Sequence, residues 1–315
     1  MRIPLLRIVV CALGAVGIYR LVKTIPIPGS GSADYLASDS GNRRLYVSHG
    51  SKVDVIDLDT GTLAASITGL NGVHGIAIAN DLKRGFISDG LAGQITIFDL
   101  NTLAIVGSVK AGSNPDGIVY DVFSQRVFAF NAGSKDMTAI DADSGYVEGT
   151  IPLGGKPEFA ATDGKGYVYA NITDANELVR VDAKTLEVKN HWPLGPCESP
   201  LGLSIDPVKR RLFSMCENKN MVVMDADGGN VITTVPIGAG ADAAAFDPET
   251  KLVFSSNGED GTLTVIKQDS ADQYRVLETV RTQRGARTLA LDLRTHSVYL
   301  PDAASGTLKL LIVAR

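Results

Sequence analysis

The chain has 315 residues, 44% hydrophobic and 21% charged, with a formal net charge of −5. That mild acidic excess, without any block of basic residues, excludes a general attraction to nucleic acid. Glycine, at 33 residues, is too frequent for a helical protein and suits a chain built of tight turns.

At the N-terminus, Arg2 and Arg7 flank an apolar, uncharged run from Ile8 to Ile18. This pattern reads as the charged and apolar regions of a secretory signal, so residues 1–17 are expected to be a signal peptide or an N-terminal anchor. The run is short for a membrane span, and membrane contact is expected only through this leader. Cys11 follows Ile8-Val9-Val10, which lacks the small residues of a lipoprotein box. The expected location is periplasmic or secreted, with residues 18–315 as a single domain.

From Arg44 onward the chain repeats one phrase. Arg44 to His49, Val53 to Asp57 and Thr60-Gly61 read as strand, turn, strand, turn. The acid that closes the second of these strands returns as Asp57, Asp99, Asp141, Asp182 and Asp225, at spacings of 42, 42, 41 and 43 residues. A period near 42 residues is that of a four-stranded propeller blade. Within each repeat the innermost strand is small and apolar, as in Gly75 to Ile78 and Gly117 to Tyr120. The next two strands are short apolar runs with period-2 character, such as Leu45-Tyr46-Val47 and Val53 to Ile56. The outermost is more polar, as in Val231 to Val235.

The innermost strand occurs seven times. The seventh copy runs out of chain after Leu308 to Ile312, and a matching outer strand lies at the other end, in residues 19–27. The expected fold is therefore all-β: a seven-bladed β-propeller of four-stranded antiparallel blades, closed by the N-terminal strand completing the last blade.

The phrases Leu45-Tyr46-Val47-Ser48, Val55-Ile56-Asp57 and Gly149 to Gly154 resemble the YVTN-type β-propeller repeat of YncE-like bacterial proteins. The resemblance covers nearly the whole chain after the leader. It implies the fold and says little of activity, since related propellers include lactone hydrolases, streptogramin-type lyases and the heavy subunit of amine dehydrogenases.

Function is expected where the repeats differ. The residues just before the innermost strands are, in order, Asp34, His74, Asp116, Glu158, Leu201, Asp242 and Arg287. They should converge on the mouth of the central channel, where four crowded carboxylates call for a compensating cation. Asp34, His49, His74, Asp116, Glu158, Asp242 and Arg287 are the candidate ligand-binding residues. The expected occupant is a small polar or cationic molecule, or a protein partner.

A second column closes the following strand: His49, Asp89, Asn131, Asn171, Cys216, Asn257 and Asp302. Its Asn and Asp members read as turn formers, whereas His49 is expected beside Asp34 and near His74. His49, His74 and Asp116 are accordingly the candidate ligands of a divalent metal, since imidazole and carboxylate suit Zn, Ni or Mn. Cys197 and Cys216 flank the same blade at ends that meet in space, so a disulfide between them is expected.

The chain carries no Gly-x-Ser-x-Gly elbow, P-loop, dinucleotide fingerprint or haem-attachment motif, so no nucleotide or haem is expected. The leading functional expectation is an exported binding or scaffold propeller with a polar site at the channel mouth. The alternative is a lactonase-like hydrolase or lyase, metal-assisted or not, with His74, Glu158 and Arg287 as candidate catalytic residues.

Overall fold

A computed structural model describes residues 19–315 apart from 30 and 305. The leader expected at 1–17 lies outside them. The described residues form 28 strands and no helix, arranged as seven four-stranded antiparallel sheets.

The first blade shows the pattern. Strand β2 (Ala33–Asp39) is innermost, followed by β3 (Arg44–His49), β4 (Lys52–Asp57) and β5 (Thr62–Ile67). Leu45, Tyr46, Val47, Val53 and Val55 are fully buried, because both faces of β3 and β4 pack against neighbouring blades. Strand β5 is largely exposed, as the outer edge of a blade must be.

The remaining inner strands are β6 (Val73–Ala79), β10 (Pro115–Asp121), β14 (Pro157–Thr162), β18 (Pro200–Asp206), β22 (Ala241–Asp247) and β26 (Ala290–Asp292). Each packs beside the next, and β26 packs against β2, so the seven form a ring. Gly75 and Gly117 permit this closeness. A Cβ on Gly75 would stand 2.6 Å from the Asp116 carbonyl oxygen, and one on Gly117 2.6 Å from that of Glu158.

The ring closes as the sequence predicts. Strand β1 (Arg20–Pro26) pairs antiparallel with β28 (Lys309–Ala314), which pairs with β27 (Ser297–Asp302) and then β26. Ile25 and Ile27 pack with Leu45, Val47 and Leu310, joining the last blade to the first.

The repeated aspartates act through local hydrogen bonds. Asp57 Oδ1 accepts from the Asp59 and Thr60 amides and the Thr60 hydroxyl. Asp99, Asp141, Asp182 and Asp225 accept in the same way from the turns that follow them. These donors hold the Asp57, Asp99, Asp141 and Asp182 carboxyls below their ordinary pKa.

Cys197 and Cys216 form a disulfide, with Cα atoms 5.4 Å apart. It fastens the segment leading into β18 to the end of β19 (Arg211–Cys216). Elsewhere the position of Cys216 carries a hydrogen-bonding side chain. Asn131 donates to Thr138, and Asn257 to Thr264, on the adjoining strand of their blades.

Candidate functional site

The channel-mouth column sits on an irregularity repeated around the ring. Between Ala33 and Leu36 the inner strand carries one residue more than its partner strand. The same bulge recurs between Val73 and Ile76, Pro115 and Ile118, Pro157 and Ala160, Pro200 and Leu203, and Ala241 and Ala243. Asp34, His74, Asp116, Glu158, Leu201 and Asp242 all lie on these bulges, and Arg287 precedes β26. A bulge breaks the alternation of side chains between the two sheet faces. Side chains that would otherwise enter a blade interface are thereby re-aimed toward the shared axis.

Six of these residues meet in a network. His74 Nδ1–H donates to Asp34 Oδ2 at 2.6 Å, and Asp116 Oδ1 lies 3.7 Å from the same nitrogen. Arg287 Nη2 donates to Asp34 Oδ1 at 3.3 Å. Its Nε lies 3.3 Å from Asp242 Oδ2. Glu158 Oε2 is buried, with Lys156 Nζ 3.0 Å away but off the line of a hydrogen bond. Coulombic effects of Glu158 on Asp116 and Asp242 tie it electrostatically to the rest.

Charge in this network is unevenly compensated. Burial, then the nearby Glu158 carboxylate, pushes the Asp116 pKa up to about 7. Burial also pushes Asp242 up to about 7, against the lowering pull of Arg287. The hydrogen bond to Asp34 raises the pKa of His74. Asp116 is 9% exposed, and its closest cation is a His74 nitrogen already donating to Asp34.

The position after each bulge acid carries a feature that the sequence analysis missed. Where β6, β10 and β18 have Gly75, Gly117 and Gly202, β2 and β14 have Tyr35 and Phe159. These two rings come from the first and fourth blades and stack with centroids 4.4 Å apart and planes at 26°. They therefore cross the channel. The Tyr35 hydroxyl is buried and has no hydrogen-bond partner among the described residues. Burial, and then the charges of Asp116, Glu158, Asp34 and Asp242, hold its pKa well above the ordinary phenol value. Comparing the repeats one column further on, where glycine gives way to an aromatic ring, is the signal that would have found them.

His49 does not join the site. Its Nδ1 donates to Asp54 Oδ2 at 2.7 Å inside the first blade, and its ring packs against Gly29 and Gly31. It shares the face of Val47, toward the last blade, because residues two apart on β3 point the same way. The donor set of His49, His74 and Asp116 is therefore corrected. Among the described residues, the group whose ligand atoms all lie within 4.8 Å of one another is Asp34, His74 and Asp116. Asn131, Asn171 and Asn257 of the same second column are fully buried and structural. Leu201 is the one apolar member of the mouth.

Two clefts open on this network, and Arg287 lines both. One, of about 440 Å³, also meets Asp34, His74 and Leu91. The other, of about 310 Å³, meets Leu201, Asp242 and Glu259. A larger cleft of about 650 Å³ lies outside the ring, between Pro236 and Thr279, and touches none of the mouth acids.

No family model matches the chain, and no curated protein matches it in sequence. Many solved structures match in fold. One is the hydrazine synthase of Kuenenia stuttgartiensis, with a TM-score of 0.79, 13% identity, and 90% of this chain and 96% of that one covered. Another is the WD40 repeats of RRP9, with a TM-score of 0.79, 8% identity, and coverage of 94% and 97%. At such identities the likeness is one of fold.

Proposed function

We propose that the chain is a binding propeller whose channel mouth receives a small cationic ligand. One observation carries this reading: Asp116 is nine-tenths buried among acids, without a hydrogen-bonded cation of its own. A buried carboxylate in that state is costly, and an incoming positive charge relieves the cost. His74 and Arg287 fix Asp34 and Asp242, and Lys156 stands beside Glu158, which leaves Asp116 short of charge. Resemblance to the YVTN repeat of YncE-like proteins is part of the same reading, since such propellers serve as rigid frames for sites at the axis.

Thermal unfolding at pH 8 tests it, with divalent chlorides, diamines and quaternary ammonium salts added separately. A ligand present at 100 times its Kd stabilises by about 2.7 kcal/mol. In a chain of this size that is a rise of roughly 5 °C. A flat response across the whole panel removes the proposal.

A second reading, hydrolysis or elimination, has one favouring observation. A carboxyl pushed up to about 7 beside an imidazole is suited to moving protons at neutral pH. Lactone turnover that is lost in both His74→Ala and Arg287→Ala would transfer support to it. Turnover that is absent, or unchanged in both variants, leaves it without any.

We further infer export to an oxidising compartment. The Cys197–Cys216 disulfide supports it, because such bonds persist in secreted and periplasmic proteins and are rare in the cytosol. Acid-quench thiol trapping in intact cells is expected to find both cysteines oxidised. Two free thiols would count decisively against export.

A further inference from the structure

We propose that Asp34, His74 and Asp116 form a three-residue site for a divalent transition cation of the zinc type. The inference rests on reading the mouth as a cation site and narrows that reading to one chemistry. Three observations support it.

The first is geometric. One oxygen of each carboxylate and one nitrogen of His74 lie within 4.8 Å of one another. Zinc binds nitrogen and oxygen at about 2.0–2.2 Å, so donors around one ion stand about 3–4 Å apart. The His74–Asp34 contact, now 2.6 Å, opens slightly, and the His74–Asp116 contact, 3.7 Å, already fits.

The second is the state of Asp116. It is 9% exposed, it borders the other two donors, and its nearest cation is already engaged by Asp34. A largely enclosed carboxylate, its side chain 12% exposed, that makes no hydrogen bond and stands 3.7 Å from an imidazole nitrogen is suited to ligate an ion.

The third is the donor mix. An imidazole with two carboxylates suits zinc or its neighbours better than magnesium or calcium, which favour oxygen throughout. Three protein ligands leave a fourth position, and the cleft of about 440 Å³ beside Asp34 and His74 gives that position room.

Binding is an exchange. The proton on His74 Nδ1 leaves to water while Nε2 keeps the ring's remaining proton, so a neutral imidazole offers its Nδ1 lone pair. Asp116 releases any carboxyl proton and binds as the anion, and Asp34 keeps its contact with Arg287. No change of oxidation state is involved.

The test uses the full chain, stripped with chelator and dialysed, then titrated calorimetrically with zinc chloride, magnesium chloride and putrescine. One zinc per chain is expected. Asp116→Asn and His74→Gln should each weaken it more than roughly tenfold, since loss of even an outer partner of a metal ligand costs that much. His191→Gln is the control, because His191 lies beside Glu177 on the surface, 3.1 Å away, and outside the site. It should leave the affinity unchanged.

Absence of zinc binding overturns the site, as does binding equally tight in Asp116→Asn and His74→Gln. If putrescine binds instead, and Asp116→Asn abolishes it, the metal falls while the cationic-ligand reading stands. If neither binds, the metal site falls, and the wider cationic reading falls with it when the quaternary ammonium salts of the thermal panel also give no shift. Should the variants fail to fold, imidazole resonances of the wild-type chain decide. Of the four histidines, only His74 should shift with zinc, and a shift confined to the others overturns the assignment.

Discussion

Asp116→Asn is expected to raise the melting temperature at pH 8 while abolishing ligand binding at the channel mouth. The folded protein holds this carboxyl at about 7, against an ordinary 3.8. A group raised in the folded state binds more protons there than in the unfolded chain. Stability from this group is therefore full below about pH 4 and is lost as pH rises toward about 7. Taken singly, a displacement from 3.8 to about 7 corresponds to roughly 4 kcal/mol. Coupling to Asp242 and Glu158, and the need of the new amide for partners, reduce the recoverable part to about 1–3 kcal/mol. That is a gain of roughly 2–5 °C at pH 8 in a chain of this size.

At pH 3 the wild-type carboxyl is protonated in both the folded and the unfolded chain, so the two proteins should melt within a degree or so of each other. The diagnostic quantity is this difference of differences. A variant equally stable or less stable than wild type at pH 8 would show that Asp116 carries no unrelieved charge. The electrostatic case for the site would then be lost. Asp242→Asn should gain by a similar amount, because its carboxyl is also pushed up to about 7 even with the lowering pull of Arg287 included.

Removal of residues 1–27 is expected to be the most destabilising change. It takes away β1 together with Tyr19 and Ile27, and so the outer strand of the last blade. Tyr19, Ile25 and Ile27 are 2%, 8% and 1% exposed. At about 2 kcal/mol for each buried side chain the loss is roughly 6 kcal/mol, much of the stability of an ordinary domain. The cut also bares the edge of β28 and leaves Leu308 and Leu310 uncovered beside the first blade. The truncated chain should melt more than roughly 10 °C lower or self-associate on a sizing column. A monomer with unchanged melting behaviour would mean that the ring does not depend on its closing strand.

The blades were legible because each repeat spells out its own turn. Asp57 and its copies mark where one strand ends, and the structure shows why an acid is needed there. The closing strand was legible for a related reason: the last repeat is short of a segment that the first residues supply. The convergence of Asp34, His74, Asp116, Asp242 and Arg287 was legible from their shared position before the inner strands.

What the sequence concealed is the direction of side chains. Simple alternation places His49 beside Asp34, and their strands are indeed neighbours. But the bulge adds a residue on β2 and not on β3. It turns Asp34 toward the axis and leaves His49 in the blade interface against Asp54. No residue type announces such a bulge. Tyr35 and Phe159 stand in a column whose other copies are small, Gly75, Gly117, Gly202, Ala243 and Thr288, so residue type at those copies carries no chemical signal. There the backbone of the next strand fills the space, whereas in these two blades a ring fills the axis instead.

The Tyr35–Phe159 stack ties the first blade to the fourth across the ring, with ring centroids 4.4 Å apart. Two walls of the mouth that stand more than a hundred residues apart in the chain are thereby held at one spacing, and a change of either ring would be felt by the acids on both sides.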